Sequence, residues 1–327
     1  MSNGARQATA TAHANIALVK YWGKRDVPLN LPAAGSLSLT LSGLTTTTTV
    51  RFGAARDSMT INESPLGLGK AAKVLDIIRG LADLDAPAEC RSTNDFPTGA
   101  GLASSASGLA ALTVAAAAAA GLELSAERLS AIARIGSGSA TRSLFGGFAE
   151  WRAGVKPDGS DSHAVPLFGP QHWDLRVVVA VVSARPKAVG STEGMTRTLK
   201  TSPFHRPWLE TVDADLVEAR AAVEQRDLAA LGRVAERSCL RMHALMMGAD
   251  PALMYLRSES WAVIEAVRAL QKDGVPCFFT ADAGPNVKVF CAPEAVAPVR
   301  DRLLRLRCVR GLVAARPGPG ARVVARG

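Results

Sequence analysis

The stretch Pro97-Thr98-Gly99-Ala100-Gly101-Leu102-Ala103-Ser104-Ser105-Ala106-Ser107 lies between a strand-like Ala88–Thr93 and an alanine-rich helix that runs to Ala120. A glycine-rich turn feeding a helix aims unpaired N–H groups and the positive end of the helix dipole at one point, and small residues let an anion approach the backbone. The stretch therefore reads as a phosphate cradle. It lacks the GK[ST] of a Walker loop, and Gly99-x-Gly101 has no third glycine of the dinucleotide fingerprint. A capped helix packed closely on a sheet has the same composition, and that alternative stays open here.

Working outward, Ala14–Val19, Leu37–Leu41 and Thr45–Phe52 read as strands, the last because branched threonines pack well on a pleat. The first 150 residues are expected to hold two helices, the alanine helix and one capped by Ser125 with Leu129, Ile132 and Ala133 at helical spacing. After the turn-rich Gly154–Pro170, the apolar Leu175–Val182 opens a second unit. Helical patterns fill Glu193–Lys272, strands follow at Pro276–Thr280 and Val287–Cys291, and a helix and a strand close the chain near Glu294–Leu306 and Val309–Val313. The order β, helices, β, β, α, β is that of a ferredoxin-like domain with inserted helices. With 327 residues, too many for one small core, an α+β protein of two domains is expected, 1–170 and 171–327.

Composition narrows the function. Hydrophobic residues make 48% and charged residues 20%, enough apolar surface for real cores. Five scattered cysteines, none in a CxxC pair, and no signal-like N-terminus lead to the expectation of a reduced, cytoplasmic protein. The longest apolar run, Leu109–Ala120, falls short of the roughly 20 residues of a membrane span. Five separated histidines make a protein-built metal site unexpected, so any metal is expected to arrive on phosphate oxygens. The net charge of +9 suggests polyanions, yet residues 297–327 carry eight arginines and one acid, which leaves the first 296 residues nearly balanced at +2. That C-terminal basicity reads as a solvated face. Nucleic-acid binding would need stacking aromatics interleaved with a basic stripe, and the 16 aromatics are dispersed.

Four further groups could carry chemistry. Gly136-Ser137-Gly138-Ser139-Ala140-Thr141-Arg142-Ser143 is a second loop with hydroxyls and a guanidinium able to grip a carboxylate or phosphate, or else a plain Gly/Ser turn. Lys20 and Lys24 end an apolar strand in a chain with only nine lysines against 29 arginines. Lys187 and Ser191 follow a strand and fit an ordinary loop and N-cap equally well. Asp282 sits between an apolar strand and the turn Ala283-Gly284-Pro285-Asn286, at a rigid strand end, and a turn-starting Asp bonded to its own backbone is the alternative.

Taken in order, AHANIALVKYWGKRD (12–26), NDFPTGAGLASSASG (94–108), ARIGSGSATRSLFGGFAEW (133–151), RMHA (241–244) and FTADAGPNVKV (279–289) resemble the ATP-dependent diphosphomevalonate decarboxylases of the GHMP kinase superfamily. The resemblance implies the two-domain GHMP fold, whose N-terminal α/β domain has a left-handed βαβ crossover, with a C-terminal ferredoxin-like domain. It implies conversion of mevalonate 5-diphosphate to isopentenyl diphosphate with ATP and Mg²⁺, in the mevalonate pathway of isoprenoid biosynthesis, and a homodimer. By resemblance Asp282, Arg142 and Lys20 are catalytic. Tyr21, Lys24, Ser137, Gly138, Ser139, Arg142 and Ser191 contact substrate, and the loop residues Gly99, Gly101, Leu102, Ala103, Ser104, Ser105 and Ala106, with Lys187, lie along the nucleotide. Leu31–Ser38 departs from the family's usual Asn/Ser pair, and Thr192 stands where some bacterial members carry an arginine on the diphosphate. Sibling reactions, decarboxylation of the monophosphate or 3-phosphorylation alone, use similar loops.

Overall fold

The computed structural model describes residues 6–96, 104–185 and 187–327. The first half is built on two long paired strands, β1 (Gln7–Val19) and β4 (Ser36–Phe52), with the short β2 (Lys24–Asp26) and β3 (Leu31–Pro32) between them. Leu37–Leu41 and Thr45–Phe52 are one strand, which continues through Gly43 at φ +82. The threonine run alternates as expected of a pleat: Thr46 and Thr48 point inward, and their hydroxyls meet Ser107 at 2.7 Å and Ser92 at 2.8 Å. Strands β5 (Ser58–Ile61), β6 (Ser64–Leu66) and β7 (Ala88–Asn94) extend the sheet from β4, and β5 and β7 are parallel.

Helix α1 (Lys70–Ala82) connects β6 to β7, a third helix where two were expected. Its buried Ala71, Val74, Leu75 and Ile78 have the i, i+3, i+4, i+7 spacing of an amphipathic face. Helix α2 (Ser104–Ala119) is buried nearly all round, and its small alanines let it lie close against β1 and β4. Among the described residues no helix is long and apolar enough to cross a membrane. Ser125 caps α3 (Ala126–Gly136) by accepting from Arg128 N at 3.2 Å, as its sequence promises. The one-turn α4 (Ala140–Ser143) leads into β8 (Phe148–Trp151) and β9 (Ala164–Phe168).

The second half begins at β10 (Arg176–Val181). Four helices follow, α5 (Ser191–Thr201), α6 (His205–Gln225), α7 (Leu228–Met247) and α8 (Ser258–Lys272), then β11 (Cys277–Ala281), β12 (Val287–Cys291), α9 (Val296–Leu304), β13 (Gly311–Pro317) and β14 (Arg322–Arg326). The antiparallel order β11-β12-β10-β13 is the 2-3-1-4 arrangement of a ferredoxin-like sheet. Helices α8 and α9 cover one face through Val263, Val267 and Val299. The other face joins a core that draws Ile16, Leu18 and Leu37 from the first half and Val177, Met242 and Phe290 from the second. Strand β13 leaves β10 to pair with β4 at Pro317 and Leu41, and β14 then lies on β1. The sequence reading stopped at Val313 and did not foresee this return.

Candidate active site

A cavity of about 1060 Å³ opens where β1, the α3–α4 turn, the N-terminal turns of α2 and α5, and the end of β11 converge. Its wall is cationic. Lys20, Lys24, Lys70, Arg142, Lys187, Arg197 and Lys200 line it against two acids, Glu193 and Asp282.

Asp282 follows β11 directly, and its side chain keeps 29% exposure. Lys20 Nζ stands 2.8 Å from Oδ1 and Lys288 Nζ 3.0 Å from Oδ2. Both lysines are buried, and a buried ammonium without a partner is strongly destabilising, so the carboxylate and the two cations form one structural unit. Burial alone would raise the Asp282 pKa; the two lysines outweigh it and hold the carboxyl well below the usual carboxylate range. Lys20 is itself anchored, its backbone N–H donating to Ser238 Oγ of α7 at 3.0 Å.

Arg142, only 2% exposed, is fixed by neutral partners: Nη1 donates to Ser36 Oγ at 2.5 Å and Nε to Asn15 Oδ1 at 3.3 Å. It makes no ion pair among the described residues. Burial lowers its pKa to about 10, an effect partly opposed by Asp282, yet it stays cationic at neutral pH. Asn15 also donates to the Ser139 carbonyl and to Ser143 Oγ, each at 2.8 Å, and so ties the arginine to its own loop. Gly138 has to be glycine, since a Cβ there would lie 2.7 Å from the Trp151 ring and 2.9 Å from Tyr21. Tyr21 packs edge-on to Trp151 at 4.7 Å, and its hydroxyl is buried without a hydrogen-bond partner among the described residues.

On the facing wall Lys187 Nζ donates to Ser191 Oγ at 2.6 Å and to the Ala283 carbonyl at 3.3 Å. Lys70 Nζ, from the start of α1, donates to Thr192 Oγ1 at 3.1 Å. Crowding shows in the titration. Burial, with Lys70 and Lys73 adding to it, lowers Lys24 to about 8, and burial also lowers Lys70 and Lys187. Such a wall is stabilised by anions.

Two family models cover most of the chain: the diphosphomevalonate decarboxylase-like N-terminal domain over residues 12–164 and the mevalonate 5-diphosphate decarboxylase C-terminal domain over residues 177–311. The chain belongs to the diphosphomevalonate decarboxylase family. It is 38% identical to the Ganoderma lucidum diphosphomevalonate decarboxylase across 91% of this chain and 82% of that one. The solved mevalonate diphosphate decarboxylase of Staphylococcus aureus superposes with a TM-score of 0.92 at 40% identity, covering 98% of both chains. A structure described as MDDEF in complex with MVAPP, AMPPCP and magnesium gives a TM-score of 0.91 at 40% identity, over 97% of this chain and 98% of that one. The expected α+β fold is thereby met.

Within this diphosphomevalonate decarboxylase-family cavity stand Lys20, Tyr21, Lys24, Ser104, Ser105, Ser137, Gly138, Ser139, Arg142, Lys187, Ser191 and Asp282. Ala106 is fully buried and off the wall. Gly99, Gly101, Leu102 and Ala103 lie outside the described residues. The sequence reading missed Lys70, Asn15, Arg197, Lys200 and Lys288. The scarcity of lysine that singled out Lys20 and Lys24 applies equally to Lys70, which begins a helix facing them.

Proposed function

We propose that this protein decarboxylates mevalonate 5-diphosphate to isopentenyl diphosphate, with ATP consumed to ADP and phosphate. One observation carries the reading. A buried guanidinium with no acidic partner among the described residues shares a cavity with a carboxylate clamped by two ammonium groups. The first suits a substrate carboxylate, held by paired charge-assisted bonds. The second suits a hydroxyl that must be aimed.

The residues fit a nucleotide. Ser104 and Ser105 stand on the cavity wall at the first turn of α2, the positive end of the helix dipole, and Lys70 and Lys187 carry lowered pKa values that a phosphate would relieve. Among the described residues no cluster of His, Cys, Asp and Glu is arranged to hold a metal, so Mg²⁺ would be held chiefly through phosphate oxygens. ATP supplies the phosphoryl group that turns the 3-hydroxyl into a leaving group, and Mg²⁺ screens its charge. Asp282 accepts the hydrogen bond of the 3-hydroxyl and aims its oxygen, receiving the proton as the O–P bond forms. Arg142 holds the carboxylate while the C3–O bond breaks; the C–C bond electrons become the alkene, and carbon dioxide leaves. Lys24, Tyr21 and the Ser137–Ser139 turn hold the diphosphate, with Lys200 and Arg197 on the same wall as further cations for a second phosphate.

The site assignments, the division near residue 170, a cytoplasmic location and a homodimer belong to the same proposal. The five free cysteines support the location. The test is release of carbon dioxide from carboxyl-labelled diphosphate and monophosphate substrates, compared with ATP and Mg²⁺ present. Gas from the diphosphate, abolished in Asp282→Ala while ATP still binds, is expected. No gas from the diphosphate refutes the proposal; gas from the monophosphate alone, or ADP without gas, identifies a sibling reaction.

A further inference from the structure

Lys288 is the charge beside the site that no substrate contact explains. It is the second residue of β12, fully buried, and does not line the cavity. Its strand neighbours Val287 and Val289 face the α8–α9 core, whereas Lys288 and Phe290 alternate to the opposite face, level with Val179 on β10 and Thr280 on β11. A strand buried on both faces is normally apolar throughout, so an ammonium here needs a physical reason. Register supplies one. Thr280 is paired with Lys288, which brings the lysine beside the end of β11, where Asp282 emerges.

The two lysines reach Asp282 from different elements. Lys20 closes on Oδ1 from the end of β1, in the first half of the chain, and Lys288 on Oδ2 from β12, in the second. With one tether the carboxylate could swivel about its Cβ–Cγ bond. With both oxygens held, rotation breaks an ion pair, and the remaining lone pairs are fixed in direction. We infer that Lys288 is a positioning residue that acts through Asp282, fixing the plane of the carboxylate toward the reacting hydroxyl and keeping it ionised beside phosphates. The inference rests on the proposed function for the identity of that hydroxyl.

The other groups near Asp282 are Arg142, Lys187, His243 and Cys239. Burial, and Lys20 beside it, lower His243 to about 4, so it is neutral at working pH; burial pushes the Cys239 thiol up, so it stays protonated. Lys288 is also among the charges that lower Lys187 and His243, so its replacement eases those two groups as well, whereas Arg142 takes no contribution from it.

Lys288→Met is expected to lower kcat about 100-fold, the cost of a slightly misaimed group, while both KM values stay within about threefold of wild type. Removing a cation makes Asp282 easier to protonate, so the acid limb of kcat moves up by about one pH unit or more. A folded variant whose acid limb does not move overturns the inference, whatever its kcat. A second measurement needs no turnover. In the Asp282→Asn background Lys288 is a buried ammonium without its carboxylate, so adding Lys288→Met should raise the melting temperature. A double variant no more stable than the single one overturns the inference as well. A wild-type protein that releases no carbon dioxide refutes the function instead and leaves the melting comparison standing.

Discussion

Two sets of cations divide this molecule. At and beside the cavity Lys20, Arg142 and Lys288 are buried and each is held by named partners; along residues 300–326 eight arginines are all exposed. The second set provides nearly all of the net charge and the first nearly all of the candidate chemistry. The difference lies in the medium. Water and salt screen an exposed arginine within a Debye length, so its contribution to binding or stability is small. A buried cation is barely screened and has to be answered by an oxygen, a carboxylate's at Lys20 and Lys288 and the neutral oxygens of Ser36 and Asn15 at Arg142.

The largest expected effect is at Arg142. Arg142→Met should lower kcat/KM about a thousandfold, because the charge-assisted grip on a carboxylate disappears, and Arg142→Lys should not restore it, since a point charge lacks the planar fork. Steady-state kinetics on each variant check this. Full activity in Arg142→Met would remove the distinction between buried and exposed cations at its strongest point.

Next comes Lys24, half-way between the two sets. Its pKa is lowered to about 8, and a bound phosphate favours the ammonium form. Below that pH the lysine is already charged; above it, binding must first take up a proton, so affinity falls as pH rises. KM for the diphosphate should climb about tenfold between pH 7 and 9, and Lys24→Met should flatten the slope while raising KM throughout. The smallest effect is expected at the surface. Replacing Arg302, Arg305 and Arg307 together with Gln should leave kcat/KM within about twofold and the melting temperature within about 2 °C. A large loss of activity would show that exposed cations also work in this protein.

Legibility in the sequence follows the range of the interaction. The Ser125 cap, the threonine strand and the ferredoxin-like order are set by residues close together in the chain, and they were readable. Asp282 and Lys20 were marked by their strand-end positions. Lys288 was not, because in Val287–Cys291 it looks like one polar residue of an alternating strand, and its role depends on a register with β11 and an approach from β1. Helix α1 has the right apolar spacing at Ala71, Val74, Leu75 and Ile78, but the stretch is unassigned in the sequence reading. Strand β14 was missed because Arg322–Arg326 is only five residues long, lies in the arginine-rich stretch read as a solvated face, and is specified by the edge it joins.

That last strand also has a consequence in time. Ala8 of β1 is paired with Arg326, and Gly327 N–H donates to the Gln7 carbonyl at 2.9 Å. During synthesis from the N-terminus, one edge of β1 therefore stays unsatisfied until Arg322–Arg326, more than 300 residues later, has left the ribosome. Closing so long a loop comes late in folding. An exposed strand edge is also a template for the wrong partner, and the interval before Arg322–Arg326 arrives is when a nascent chain of this protein is most open to mispairing.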